Sequence, residues 1–343
     1  MTASFGRRGL LAGAAALAAA PRMASAAGQV IVGTWGGDYA ALLADNIDKP
    51  ILTPQGIEVL QDVASQDPRK TKLTAERAAR RGTMDVACLS DVDSYAMSLL
   101  NVFEPVNTDN VPNLKNVLPS QRLSYGINQI YSGMVVLYNP DKIPNGLASF
   151  SDLWDPKYKG KVGLVDILHT TNIMMAAIAH GGLVHDVEPG KKALMELKAR
   201  VQPKIYPSNE ATAVALKGEE IWINVLWLAR GMFWKNSGLR LAHAVPTEGA
   251  ITYASGAGVA RNAPNKANGF TYLNAMLEPA AQLRFAEKMF YAPTIANVSV
   301  PPELMKNIGF TEAQQAKFNV PDYAYMAQNA SQLLDFWNKE FKA

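Results

Sequence analysis

Short apolar runs alternate with glycine-rich or short polar turns and then with stretches of helical spacing, and this unit recurs along the chain. Val30-Ile31-Val32 ends at Gly33, Trp35-Gly36-Gly37-Asp38 makes a turn, and apolar positions from Tyr39 through Leu43 to Ile47 return at helical intervals. Asp85 to Leu89 predicts a second strand, Ser90 to Ser94 its turn, and Tyr95 with Met97 the helix behind it. Lys161 to Val165 predicts a third, with Asp166 to Thr171 as turn and Asn172 to His180 as a helix stopped by Gly181-Gly182. Ile221-Trp222-Ile223-Asn224 predicts a fourth, followed by a helix to Trp234. A buried strand feeding a helix is the unit of α/β folds, so the repetition implies mostly parallel sheets covered by helices on both faces. In such sheets ligands gather at the carboxyl ends of the strands.

A chain of 343 residues is longer than one hydrophobic core commonly fills, so two lobes are expected. No stretch of linker composition separates them in sequence. Instead Gln129 to Leu137 and Ala250 to Arg261 read as extended segments that cross from lobe to lobe. The expected division is residues 27–131 with 257–300 as one lobe and 132–256 with 301–343 as the other. The tail from Phe310 is helical, with Leu333, Leu334, Phe336, Trp337 and Phe341 available to dock on a lobe. Arg69, Lys70, Lys72, Arg77, Arg80 and Arg81 form a basic stretch, mostly on a helix predicted from Thr74 to Arg81, and read as a solvated helix face.

Residues 1–26 carry Arg7, Arg8 and Arg22 and no acid, with a Leu/Ala/Gly run from Leu10 to Ala20. That run is far shorter than the roughly 20 residues a membrane-spanning helix needs, so the segment reads as an export signal and not an anchor. Ala24-Ser25-Ala26 predicts cleavage before Ala27, and Arg7-Arg8-Gly9-Leu10-Leu11 resembles the twin-arginine export signal of bacteria. Without those three arginines, the 33 basic residues of the full chain fall to parity with its 30 acidic ones. Nucleic acid and anionic membrane surfaces are therefore not expected as partners.

Cys88 is the single cysteine, which excludes a disulfide framework and a cysteine-built metal or cluster site. His169, His180, His185 and His243 lack metal-ligand spacing, no nucleophile elbow or phosphate loop is present, and Gly256-Ala257-Gly258 is followed by Arg261 where a dinucleotide fingerprint needs a small residue. No metal and no cofactor are expected. The predicted strand ends carry aromatic and short polar residues: Trp35, Gly37, Asp38 and Tyr39 on the first, Ser90 and Asp91 on the second, Asp166 and Thr170 on the third, Asn224 on the fourth, and Tyr253 with Ser255 on the second crossing. Ser90, Asp91, Thr170 and Thr171 also suit helix caps. Aromatic faces and carboxylates around a cleft suit an apolar stem bearing an amine. An enzyme using His169 or Asp166 as general base is the alternative, and a receptor that signals to a membrane sensor is another.

The export signal, the Trp-containing first turn, Pro140-Asp141-Lys142, and above all Ser149-Phe150-Ser151-Asp152-Leu153-Trp154-Asp155-Pro156-Lys157-Tyr158-Lys159-Gly160-Lys161 resemble the periplasmic solute-binding proteins of ABC importers, in particular the spermidine/putrescine-binding group. The resemblance covers essentially the whole mature chain. It implies a two-lobed type II periplasmic-binding fold that closes on a small-molecule solute and delivers it to ABC permease subunits in the inner membrane, as a monomer, with no catalysis. The polyamine binders place W-x-[DE]-Y after the first strand, and Trp35, Asp38 and Tyr39 match it with one extra glycine. The resemblance places the acidic polyamine contacts of the second lobe at Ile167, Thr170 and Ser255, none of which is a carboxylate. A dication would leave one charge poorly paired in a dry cleft, so a monoamine or zwitterion is the expected solute.

Overall fold

The computed structural model describes residues 28–343, and the expected export signal lies outside them. Its strands are β1 (Gly28–Thr34), β2 (Ile57–Val63), β3 (Val86–Ser90), β4 (Ile127–Tyr138), β5 (Val162–Val165), β6 (Lys204–Tyr206), β7 (Ile223–Trp227), β8 (Ala242–Ala244), β9 (Ile251–Val259) and β10 (Ala292–Pro293). The helices are α1 (Gly37–Leu43), α2 (Gln66–Glu76), α3 (Asp91–Leu99), α4 (His169–Ala179), α5 (Glu188–Val201) and α6 (Asn209–Lys217). They continue with α7 (Leu228–Asn236), α8 (Lys266–Met276), α9 (Pro279–Met289), α10 (Pro302–Ile308), α11 (Glu312–Gln315) and α12 (Tyr323–Phe336).

The sheet runs β2-β1-β3-β9-β4-β7-β5-β6, with β8 and β10 also paired to β4. Its two ends are parallel, β2 and β3 flanking β1, and β6 and β7 flanking β5. Between them β9 and β4 pair antiparallel to each other and to their outer neighbours. These are the two segments expected as crossings. Ile127 to Met134 of β4 pairs with β9, and Met134 to Tyr138 pairs with β7, so one strand serves both halves. Gly256 is required where they touch, because a Cβ there would lie 1.7 Å from the Ile127 carbonyl oxygen.

The apolar runs that predicted strands are largely buried: Val30, Val32, Val86, Leu89, Val162, Leu164, Val225 and Leu226 are inaccessible to solvent, while Ile31, on the other face of β1, is half-buried. α1 passes without a break into a π-helical stretch, Ala44–Leu52, and Leu43 and Ile47 carry its apolar face into the core. The C-terminal segment docks through Leu333, Phe336, Trp337 and Phe341, all buried, whereas Leu334 remains exposed. Burying each of these large side chains contributes roughly 1.5–3 kcal/mol. α12 packs on α3 and on α4, so it touches both halves and not a single one.

Three sequence expectations are corrected. The helix expected from Thr74 to Arg81 is α2, which starts at Gln66 and ends at Glu76. Arg69 is 2% exposed, so it does not belong to a solvated face. Second, α4 begins at His169, which puts Thr170 and Thr171 inside its first turn and not at its cap. Third, β7 continues to Trp227, which moves Asn224 from a strand end into a strand interior. Asn224 is buried, and its Nδ2 donates to the Gly163 carbonyl of β5 at 2.9 Å.

Candidate ligand-binding cleft

Arg69 organises the carboxyl ends of three parallel strands. Its Nη1 donates to the Thr34 carbonyl at 2.7 Å and the Ala64 carbonyl at 3.0 Å, and its Nε to the Cys88 carbonyl at 2.9 Å. Gly33 makes room, since a Cβ there would stand 2.5 Å from the Arg69 Cδ. The Trp35 ring lies over this guanidinium, 5.1 Å to the centroid, and meets the Tyr39 ring edge-on at 5.1 Å and 86°. The Tyr39 hydroxyl donates to the Gln129 Oε1 of β4 at 2.6 Å. Burial pushes the Tyr39 phenol well above its ordinary range and lowers that of Arg69. The expected turn residues Trp35, Gly37, Asp38 and Tyr39 thus form one preorganised wall of a cavity of about 960 Å³.

Asp91, buried, and Asp166, half-buried, are already engaged on this cavity. Asp91, 3% exposed, accepts the Val92 N–H at 2.8 Å on Oδ1, and the Ala254 N–H at 2.8 Å and Tyr323 hydroxyl at 3.0 Å on Oδ2. Burial raises its carboxyl to about 6. Asp166 accepts the Trp337 Nε1–H at 2.6 Å and the Lys342 ammonium at 2.9 Å. Burial would raise its carboxyl, but these two donors hold it below the ordinary range. One C-terminal segment therefore ties to an acid of each half. Lys70 is paired with Asp67 at 2.9 Å and Asp93 at 2.8 Å. Asp38 and Glu210, both exposed at the rim in the first turns of α1 and α6, make no ion pair or hydrogen bond among the described residues.

The opposite wall is aromatic. Trp227 stacks on Tyr253, centroids 4.5 Å apart and planes at 19°, and Tyr291 stands 6.2 Å beyond. Arg230, in the first turn of α7, lies beside the Tyr291 hydroxyl and over the Phe233 ring at 5.9 Å. Its Nε is buried without a partner. Ser90 caps α3, accepting the Asp93 N–H at 3.4 Å. Ser255 is 1% exposed and donates to the Leu89 carbonyl at 3.3 Å. Thr170 faces the cavity half-buried, as does His169, whose imidazole burial shifts downward.

The cavity thus brings together Trp35, Gly37, Asp38, Tyr39, Ser90 and Asp91 with Asp166, Thr170, Tyr253 and Ser255. Asn224 does not reach it, because it is buried inside β7, where its Nδ2 donates across the sheet to Gly163. Trp227, Arg230, Glu210 and Tyr291 line it and were not anticipated. Extending the fourth strand to Trp227 would have exposed the first two, since a turn aromatic then precedes a helix whose third residue is Arg230. The arrangement of aromatic walls, rim acids and one guanidinium is suited to a polar molecule. Asp166, occupied by Trp337 and Lys342, is not free to act as a base with His169.

Comparison with known proteins agrees with a binding site. The chain is 22% identical over 253 residues to the spermidine/putrescine-binding periplasmic protein of Escherichia coli (strain K12), covering 70% of this chain and 72% of that one. An ABC transporter substrate-binding protein from Bradyrhizobium japonicum superposes with a TM-score of 0.80 at 20% identity, over 92% of this chain and 100% of that one. The Atu4243 GABA receptor superposes with a TM-score of 0.80 at 19% identity, over 92% and 98% of the two chains. The fold is that of type II periplasmic-binding proteins, which capture solutes outside the cytoplasm for ABC transporters and are not enzymes. Residues 55–312 match the family described as bacterial extracellular solute-binding protein, and with its cleft, its sheet and this match the chain belongs to that family.

Proposed function

We propose that this solute-binding component of an ABC importer takes a small polar solute with a single amine, a monoamine or a zwitterion, and not a dicationic polyamine. The observation that carries the reading is the state of two carboxylates, the buried Asp91 and the half-buried Asp166. Asp166 is neutralised by Lys342, and Asp91 has only the neutral donors Val92, Ala254 and Tyr323, so at most one buried carboxylate is left to balance an ammonium. A second ammonium carried into the cleft would lose its hydration without a counter-ion, a cost of several kcal/mol. Asp38 and Glu210 remain at the rim, suited to one exposed amine. The walls formed by Trp35 with Tyr39 and by Trp227 with Tyr253 supply flat faces for the apolar stem.

In this reading residues 27–131 with 257–300 and residues 132–256 with 301–343 draw together about β4 and β9, whose pairing on both sides makes them natural hinges. The precursor is exported by the twin-arginine route and cleaved near Ala26/Ala27. Changing Arg7 and Arg8 to lysine should then hold the precursor in the cytoplasm, and mature protein appearing undiminished outside it would assign the general secretory route. The solute class is tested by uptake in the native host. Loss of this chain should abolish high-affinity uptake of a single-amine solute, excess putrescine should not compete with it, and effective competition would reverse the assignment.

A further inference from the structure

We infer that Arg230 is the anchor for a carboxylate, so that the solute is a zwitterion of the amino-acid type, with its acid end on Arg230 and its amine towards Asp38 or Glu210. This rests on the reading of the cleft as a single-amine site and narrows it. Among the described residues Arg230 makes no ion pair, in contrast to Lys70, which shares the same cavity and holds two acids. Its Nε is shielded from water and bonded to nothing. A guanidinium presents a planar fork that matches a carboxylate with two parallel hydrogen bonds, and its delocalised charge tolerates burial against Phe233 better than an ammonium would.

Two neighbours strengthen the assignment. Arg230 sits in the first turn of α7, a helix of 9 residues, where the N-terminal dipole adds positive potential and favours an anion. The Trp227–Tyr253 stack, contributed by the residue before α7 and by β9, gives the short chain of such a solute a flat wall beside the guanidinium. An ammonium at the same place would meet positive charge, which independently disfavours a polyamine.

The test is calorimetry on the mature protein with straight-chain amino acids from glycine to 6-aminohexanoate, each beside its amide and the amine lacking the acid group, with putrescine as the dication. At least one amino acid should bind well above its amide and amine. Arg230→Gln should weaken that ligand roughly hundredfold, the scale for removing one partner of a buried charge pair. Arg230→Lys should recover only part of the loss, and both variants should keep the unliganded melting temperature. Binding by Arg230→Gln equal to wild type, an amine or amide binding as tightly as its acid, or no amino acid binding at all overturns the inference. A tight amine leaves the single-amine reading intact, whereas tight putrescine overturns that reading itself. If Arg230→Gln melts early, the Arg230→Lys comparison with acid and amide carries the decision.

Discussion

Trp227 and Tyr253 lie face to face with ring centroids 4.5 Å apart, one at the end of β7 and the other on β9. The stack joins a parallel end of the sheet to a crossing strand at the place where the cleft opens. Trp227 is 7% exposed and borders the cavity, so a solute on this wall should alter its emission. Trp227→Phe, which keeps an aromatic face, should fold normally and lose a large part of the fluorescence change on ligand addition. A full change in the variant would move the solute to the Trp35 wall alone.

The first-half wall depends on Arg69. Arg69→Met removes the donors to the Thr34, Ala64 and Cys88 carbonyls while relieving the burial of a cation. The Thr34 carbonyl keeps the Ala64 N–H at 3.0 Å, but the donors lost to the Ala64 and Cys88 carbonyls outweigh that relief, and a loss of roughly 2–4 kcal/mol is expected. Urea denaturation measures it; an unchanged midpoint would mean that water satisfies those carbonyls.

Trp35 should behave differently. It is half-buried on a turn, over the Arg69 guanidinium and against Tyr39. Trp35→Ala should weaken solute binding at least about tenfold, the scale of a lost aromatic contact, with little change in melting temperature. A collapse of stability with affinity intact in the folded fraction would make Trp35 a core residue.

Asp91 gives the protein a pH dependence of defined sign. Burial raises its carboxyl from 3.8 to about 6. The folded state therefore holds a proton that the unfolded chain has released, and stability from this group is present below the unfolded value and is lost as pH rises through the folded one. The whole window amounts to roughly 3 kcal/mol. The stability of wild type minus that of Asp91→Asn should fall between about pH 4 and pH 6 and be level above. A flat difference, or a rise, would show that Ala254, Val92 and Tyr323 hold the carboxylate ionised.

The strands and their order of appearance were legible because apolar runs such as Val86 to Leu89 are buried on both faces, and Val30 to Val32 is buried but for the half-buried Ile31, so they need no partner to be recognised. The Trp35 turn was legible for the same reason, since it follows such a run. The fourth strand end was not. Asn224 looks like a turn residue, and only pairing across the sheet to Gly163 gives it a place inside β7. Arg69 resembles its basic neighbours until three strand ends meet around it. Asp166 looked available because its partners Trp337 and Lys342 are brought to it from 171 and 176 residues away.

The central claim is that the cleft excludes a dication. Thermal unfolding of the mature protein with millimolar spermidine or putrescine, beside monoamines and zwitterions of similar length, tests it most directly. A ligand at one hundred times its Kd stabilises the folded state by about 2.7 kcal/mol, a shift of several degrees for a chain of this size. The polyamines should leave the melting temperature nearly unchanged while at least one single-amine solute raises it clearly. Strong stabilisation by spermidine, with micromolar or tighter affinity by calorimetry, would contradict the account and return Asp91 or Asp166 to the solute.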